Sequence, residues 1–424
     1  MKKTLKTIFS DPIFKQGGIL FASSVLVNIF NLIFWLYMVR KLTPEDYGIL
    51  NSLVSVLMFF SVPVSILQTV ITRYTSKFMA HRKETEVKFL LLYFVRIVAI
   101  FLTVVLVILI LFAHRVSAFL KIDEKNLVYL VALGITLSSF TPIIIGALAG
   151  LQRFNDVALN SVASGIAKLA AGFSLVAMGF KVLGALIGFV FSFAVSLVYS
   201  FFQLPHRLKK MTWKLETVFL DVKEIYSYFL PAGLSLLCFF ALTNMDIILV
   251  KHFFSPLEAG YYSVAQMVGK IVLFVPGAIG VVMFPKIVDS HVRNGNTFLI
   301  LKKCLIVVGL LCGLATFCTF LLPSLILKIL TGHSQPEAIE LVKFFSLSMS
   351  FFALVNILML YHLSLHRMKY IYTLTLVTLL QFLGIWLFHS SLKEVISILL
   401  MGSVALFFMG MRFSLKGEYI RERP

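Results

Sequence analysis

A chain of 424 residues that is 59% apolar, only 13% charged and has a mean hydropathy of +0.96 is not an ordinary soluble domain, in which about a quarter of residues carry charge. The net charge of +19 does not indicate a nucleic-acid partner, because the Lys and Arg sit in short segments between apolar runs rather than on one patch. Cys238, Cys304, Cys312 and Cys318 lie in apolar runs with no Cys-x-x-Cys or Cys/His pairing, which argues against a metal or disulfide framework and for soft packing residues.

In chain order there are twelve runs long enough to cross a bilayer, at about 20 residues each. They fall at 17–39, 47–71, 89–113, 127–150, 156–179, 182–203, 226–250, 260–284, 299–322, 340–362, 370–388 and 393–413. Met1 to Lys15 is basic, but the run after it is too long for a signal peptide and lacks a small-residue cleavage site, so it reads as a retained first span. Between the sixth and seventh runs lies a basic amphipathic stretch with His206, Arg207, Lys209, Lys210, Trp213 and Lys214. The expected organisation is an all-α polytopic membrane protein: a six-helix lobe at 1–204, a cytoplasmic linker at 205–225 and a second six-helix lobe at 226–424.

The two halves repeat each other. Val39 to Gly48 closes the first span with basic residues, Thr43-Pro44, acids and a Gly. Lys251 to Gly260 repeats the plan with Ser255-Pro256, Glu258 and Gly260, a shift of 212 residues. Further on, Pro63 meets Pro276, Arg73 meets Lys286, and Gln152-Arg153-Phe154 meets His366-Arg367-Met368. Each corner joins two apolar runs, so the repeated unit is a helical hairpin, and the half-chain shift is that of two parallel repeats.

Orientation follows from the basic residues. With the N-terminus inside, 25 of the 38 Lys and Arg fall in inner segments and nine, Lys251 among them, in outer loops. The positive-inside rule then places both termini in the cytoplasm. The longest outer loops, His114 to Asn126 and Pro323 to Ala338, are short. An enzyme polymerising sugar outside the cell would be expected to carry a larger outer domain.

Four basic residues, Arg96, Lys168, Lys270 and Lys343, and one acid, Asp246, lie within the runs. An ionisable group at membrane depth costs at least about 2.5 kcal/mol on insertion scales, so each is a functional candidate. Lys343 is near enough to a helix end to snorkel, and Arg96 reads equally as an interface anchor or a cavity residue. Asn160, Ser164 and Lys168 form a polar stripe, as do Ser263, Gln266 and Lys270. Both stripes suit a water-filled cavity. Asp246 and Lys270 flank the second corner and read either as a structural pair or as a substrate and coupling site. Ser24, Asn28 and Asn31, and Ser61, Ser65, Gln68 and Thr72, stripe the first two spans; interhelical hydrogen bonding and cavity lining both account for them. Pro63, Pro142, Pro231 and Pro276 mark bends within spans.

These residues resemble those of the Wzx-type oligosaccharide flippases of the polysaccharide biosynthesis family. The resemblance is carried by Arg-x-Leu-Thr-Pro-Glu-Asp-Tyr-Gly (Arg40 to Gly48), Ala-x-x-Gly-Leu-Gln-Arg-Phe (Ala147 to Phe154), Asn244-x-Asp246, Ser-Pro-x-Glu-Ala-Gly-Tyr-Tyr (Ser255 to Tyr262), Lys270 and Phe284-Pro285. It implies a MATE-like fold of the multidrug, oligosaccharidyl-lipid and polysaccharide exporter superfamily, with two lobes and alternating access. The thirteenth and fourteenth spans of the lipid II flippase branch are not found, which the resemblance sets against that branch. It further implies that Lys168, Lys270 and Arg96 are cavity cations; with Asn28, Asn31, Gln68 and Gln266 of the polar stripes they are expected to meet a polyprenyl-pyrophosphate-linked oligosaccharide. Asp246 acts as coupling residue or structural partner, and no cofactor is needed beyond a coupling cation or proton. Expected partners are membrane lipids and the polysaccharide polymerase machinery, with no nucleic acid. The expected activity is translocation without bond cleavage, not catalysis. The rival readings are a drug/cation antiporter, which would favour acidic cavity residues, and a membrane polymerase.

Overall fold

The structure, a computed structural model, describes residues 12–122, 124–205, 222–274, 276–293, 295–332, 336–365 and 368–419. Among them the chain forms sixteen helices and no strand. Within a bilayer only a helix or a closed barrel satisfies its own backbone, so long apolar runs without strand alternation become helices. They are α1 (Pro12–Lys41), α2 (Pro44–Ala80), α3 (Glu84–Leu111), α4 (Ala113–Phe119), α5 (Lys125–Gly150), α6 (Phe154–Ala177), α7 (Lys181–Gln203) and α8 (Val222–Asn244). The rest are α9 (Asp246–Phe253), α10 (Pro256–Phe274), α11 (Gly277–Val292), α12 (Thr297–Leu321), α13 (Pro323–Thr331), α14 (Pro336–Ser364), α15 (Met368–Leu387) and α16 (Leu392–Tyr419).

Eleven spans among the described residues are long and apolar enough to cross a membrane. The protein is a multi-pass membrane protein. One expected span is corrected. The run at 260–284 is two helices, α10 and α11, parted at Pro276, whose ring and missing N–H end a helix. The run at 226–250 holds as one span, Leu230–Phe253, interrupted at Met245 between α8 and α9. By contrast Pro63, Pro142 and Pro231 sit inside continuous helices. The two longest expected outer loops contain short helices, α4 and α13, at matching places of the repeat. The linker residues 206–221, and His366 and Arg367 of the second repeated hinge, lie outside the described residues.

The repeated corners are helix starts. Thr43 accepts the Asp46 amide on Oγ1 at 3.2 Å, ahead of Pro44 at the first helical position. At the second corner Ser255 Oγ accepts the Glu258 amide at 3.3 Å, and Glu258 accepts in return from Ser255 N at 3.0 Å and Oγ at 2.7 Å. That reciprocal pair is a capping box.

The chain divides into two compact units, Met1–Lys41 with Val56–Phe229, and Leu42–Ser55 with Leu230–Pro424. The first turns of α2 therefore belong with the C-terminal half. In the first unit α1, α6 and α7 pack through small residues, the means by which helices approach in lipid. A Cβ on Gly172 would stand 2.6 Å from the Phe34 ring, and one on Gly188 would stand 2.9 Å from Gly172 Cα. α2 and α5 meet the same way, with Gly150 against Thr75 and the Ser76 hydroxyl donating to Gly150 O at 3.0 Å. The Gln-Arg-Phe corner turns at Gln152 in the left-handed region (φ 59°). Arg153 then clamps Asp156 at 2.6 Å and the Gln203 side chain at 3.2 Å. In the second unit α14 is the most enclosed span and packs against α10, α12 and α16.

Candidate functional site

The helix break at Met245 sets the site in the second unit. Asp246 is the first residue of α9 and is 1% exposed. A carboxylate so placed needs donors, and it has three. The Tyr262 hydroxyl donates to Oδ2 at 2.6 Å, Gln266 Nε2 donates to Oδ1 at 2.9 Å, and the Ile247 backbone N–H also reaches it. Tyr262 and Gln266 are four residues apart on one face of α10, so one helix face supplies both side-chain donors.

Gln266 continues the chain of contacts. Its Oε1 accepts from Asn51 Nδ2 at 2.7 Å and from Lys270 Nζ at 3.1 Å. The amide has one sensible orientation here, because reversing it would put its NH2 against an ammonium and its oxygen against a carboxylate. Among the described residues no hydrogen bond or ion pair joins Asp246 directly to Lys270; the Gln266 amide bridges them, and the two charges attract each other across it. Lys270 is half-buried and uses one of its three donors on Gln266. The other two have no partner among the described residues. Asn244, the other polar residue of its motif, is engaged locally with the Phe240 carbonyl and the Thr243 hydroxyl.

The first unit holds the other cation. Lys168 on α6 is 6% exposed and donates to Asn31 Oδ1 on α1. Its Nζ lies 5.0 Å from the centre of the Phe34 ring and 5.1 Å from that of Phe189, two rings packed edge to face. Cation–π attraction at desolvated sites is worth about 2 kcal/mol, so the rings offset part of the cost of burying the charge. The stripe that led to Lys168 divides on inspection. Asn160 exchanges two hydrogen bonds with Ser196 of α7, at 2.7 and 2.6 Å, and Ser164 donates to the Ser161 carbonyl.

Among the described residues neither Asn28 nor Gln68 hydrogen-bonds to either cation. Asn28 is exposed, Arg96 is half-buried on α3, and Gln68 is half-buried with its backbone carbonyl accepting from Thr72. Lys343 is half-buried on α14. Three residues were not singled out from the sequence. Asn51 and Tyr262 complete the Asp246 network, and Lys251, assigned to an outer loop, is wholly buried in α9. The signal for Asn51 was an amide in an apolar run, Ile49-Leu50-Asn51.

Residues 13–291 match the family model described as "Polysaccharide biosynthesis protein". No curated protein sequence matches. Among solved structures, the chain is similar to an inward-facing multidrug resistance MATE family transporter of the MOP superfamily, with a TM-score of 0.74, 12% identity and coverage of 92% of this chain and 95% of that one. It is also similar to the lipid II flippase MurJ in an inward closed conformation, with a TM-score of 0.65, 14% identity and coverage of 93% and 87%. A MOP superfamily transporter from Pyrococcus furiosus, described as having a binding pocket of reverse polarity, aligns with a TM-score of 0.55, 14% identity and coverage of 96% and 94%.

Proposed function

Because the chain belongs to the polysaccharide biosynthesis protein family, we propose that it translocates a polyprenyl-pyrophosphate-linked oligosaccharide from the inner to the outer leaflet of the cell membrane, with both termini in the cytoplasm. Lys270 carries this reading. It is a half-buried ammonium on α10 with two donors unclaimed by the described residues, and pyrophosphate oxygens are strong acceptors for such donors. Lys168, with Asn31 beside it, gives the first unit a second cation. The lipid tail stays in the bilayer while the charged head crosses, no bond breaks, and the sugars pass on to the polymerising machinery.

The site binds by charge, so its response to substitution follows charge. At Lys270 we expect Lys highest, Arg partly active, Gln and Ala nearly inactive and Glu inactive, because Arg keeps the cation but not the shape. The measurement is restoration of surface polysaccharide in a flippase-deleted host, with membrane abundance followed by immunoblot. A fully active Lys270→Ala removes the role. One observation favours a second reading, a cation antiporter: Asp246 is a deeply buried carboxylate beside a broken helix. In that case activity would track position 246 and not position 270.

A further inference from the structure

The two corners made equivalent by the duplication lie against each other within the second unit. Gly48 and Gly260 are separated by the repeat's own shift of 212 residues. A Cβ on Gly48 would stand 3.1 Å from Gly260 N, and one on Gly260 would stand 2.3 Å from the Pro44 carbonyl oxygen. At Gly260 a Cβ has no room against the Pro44 backbone, and this close approach holds the start of α2 on the start of α10. The docked segment, Leu42–Ser55, belongs to the second unit, while the chain on either side of it belongs to the first. Any rearrangement of the first unit that pulls on α1 or on the rest of α2 pulls on this segment.

Less than one turn beyond Gly48, Asn51 ties the segment to the charged network through Gln266. The tie depends on how the Gln266 amide is held. Lys270 on Oε1 and Asp246 on Nε2 polarise the amide in the same sense and keep its oxygen towards Asn51. Without the ammonium, Oε1 loses one of its two donors and the amide loses the charge that orients it.

We propose that Asn51 couples docking of the Leu42–Ser55 corner to the state of Lys270. While Lys270 rests on Gln266 the corner stays docked on α10; when an anionic group draws the ammonium away, the amide is released and the corner can leave. The step through the anion rests on the reading of Lys270 given above. The tie between Asn51 and docking does not.

Ala259 offers the test. It is fully buried, and its backbone carbonyl lies 3.3 Å from the Cβ position of Gly48. An Ala259→Cys thiol, in a chain whose Cys238, Cys304, Cys312 and Cys318 are replaced by Ala, is treated with N-ethylmaleimide in membranes. Asn51→Leu should speed labelling by roughly two- to tenfold, the range one net hydrogen bond commands. Lys270→Gln should speed it as well, and the double variant should label no faster than the faster single one. If Asn51 merely fills space, the two effects multiply; that result, or an unchanged rate in Asn51→Leu, overturns the proposal. Should Asn51→Leu fail to reach the membrane, Asn51→Ala, which also lacks the donor, is read on the same scale. Sodium pyrophosphate added to purified protein should speed labelling with Lys270 present and not with Lys270→Gln; no response refutes the anion step. Labelling reads docking whatever the protein carries, so failed polysaccharide complementation with these labelling results intact would refute the flippase reading and leave the tie standing.

Discussion

Gly260→Ala is the substitution the packing resists most. An added Cβ would meet the Pro44 carbonyl oxygen at 2.3 Å, its carbon at 2.4 Å and the Pro44 Cβ at 2.8 Å. Two of these are backbone atoms at the start of α2 and cannot rotate away. Overpacking of this kind costs about 1–3 kcal/mol, and immovable neighbours place it at the upper end. Replacing Gly in a helix interior returns about 1 kcal/mol through propensity, leaving a net loss of about 2 kcal/mol. Gly48→Ala faces contacts of 3.1–3.3 Å, so a shift of a few tenths of an ångström relieves it and the propensity gain roughly cancels the cost. Gly313→Ala meets nothing within 4 Å and should be neutral or mildly stabilising. The assay is thermal unfolding of detergent-purified protein, followed by a thiol-reactive dye that reports exposure of buried Cys238 and Cys312. At roughly 2 °C per kcal/mol for a large chain, Gly260→Ala should unfold about 4 °C below Gly48→Ala, with Gly313→Ala at or above the parent. A Gly260→Ala protein as stable as Gly313→Ala, or more stable than Gly48→Ala, refutes the close approach of the corners.

Two further outcomes follow from the hydrogen bonds. Asp246→Asn should lower transport and Lys270→Gln in the same chain should not restore it if, as proposed, Lys270 acts on the substrate as well as on the network; restoration in the polysaccharide assay would make the two residues a structural pair only. Asn160→Ala should cost about 2–4 kcal/mol of stability and Ser196→Ala about 1 kcal/mol, because the first leaves buried groups of α7 unpaired and the second removes one hydroxyl; equal losses in thermal unfolding would show that the pair is not the reciprocal one seen here.

The long spans and the repeated corners were legible because both are local. Span length follows from the thickness of the bilayer, and Thr43-Pro44 and Ser255-Pro256 followed by acids are helix-start chemistry written in consecutive residues. The break at Met245 was not legible, and its cause is tertiary. Nothing in Leu242-Thr243-Asn244-Met245 stops a helix as Pro276 does. Instead, α10 draws the Asp246 carboxylate towards Tyr262 and Gln266, and Gln381 of α15 donates to the Leu242 carbonyl at 3.0 Å. A continuous helix would have used that carbonyl itself. The grouping of Leu42–Ser55 with the C-terminal half was equally hidden, because an uninterrupted helix gives no sign of where its packing partners change.

The candidate site was legible to the extent that burial of charge is. Asp246, Lys168 and Lys270 stand out because charge within an apolar run demands an explanation, and two stripe residues, Asn31 and Gln266, hydrogen-bond to Lys168 and Lys270. The stripes could not divide structural from functional polar groups: Asn160 and Lys168 share a face and two turns, yet the first is closed off by Ser196 and the second by an amide and two aromatic rings. Partners decide the difference, and partners are not periodic. Asn51 shows the limit. A lone amide among Ile49, Leu50 and Leu53 is tolerated in a membrane helix only where another polar group meets it, so its presence implied a partner. Nothing local could name Gln266, 215 residues away. That distance is close to the repeat shift of 212, which places Gln266 three residues past Ser263, the equivalent of Asn51. Two corners of the same plan, packed glycine to glycine, bring equivalent stretches of α2 and α10 side by side. The duplication that marks the corners therefore also accounts for why a polar group on one of them finds its partner on the other.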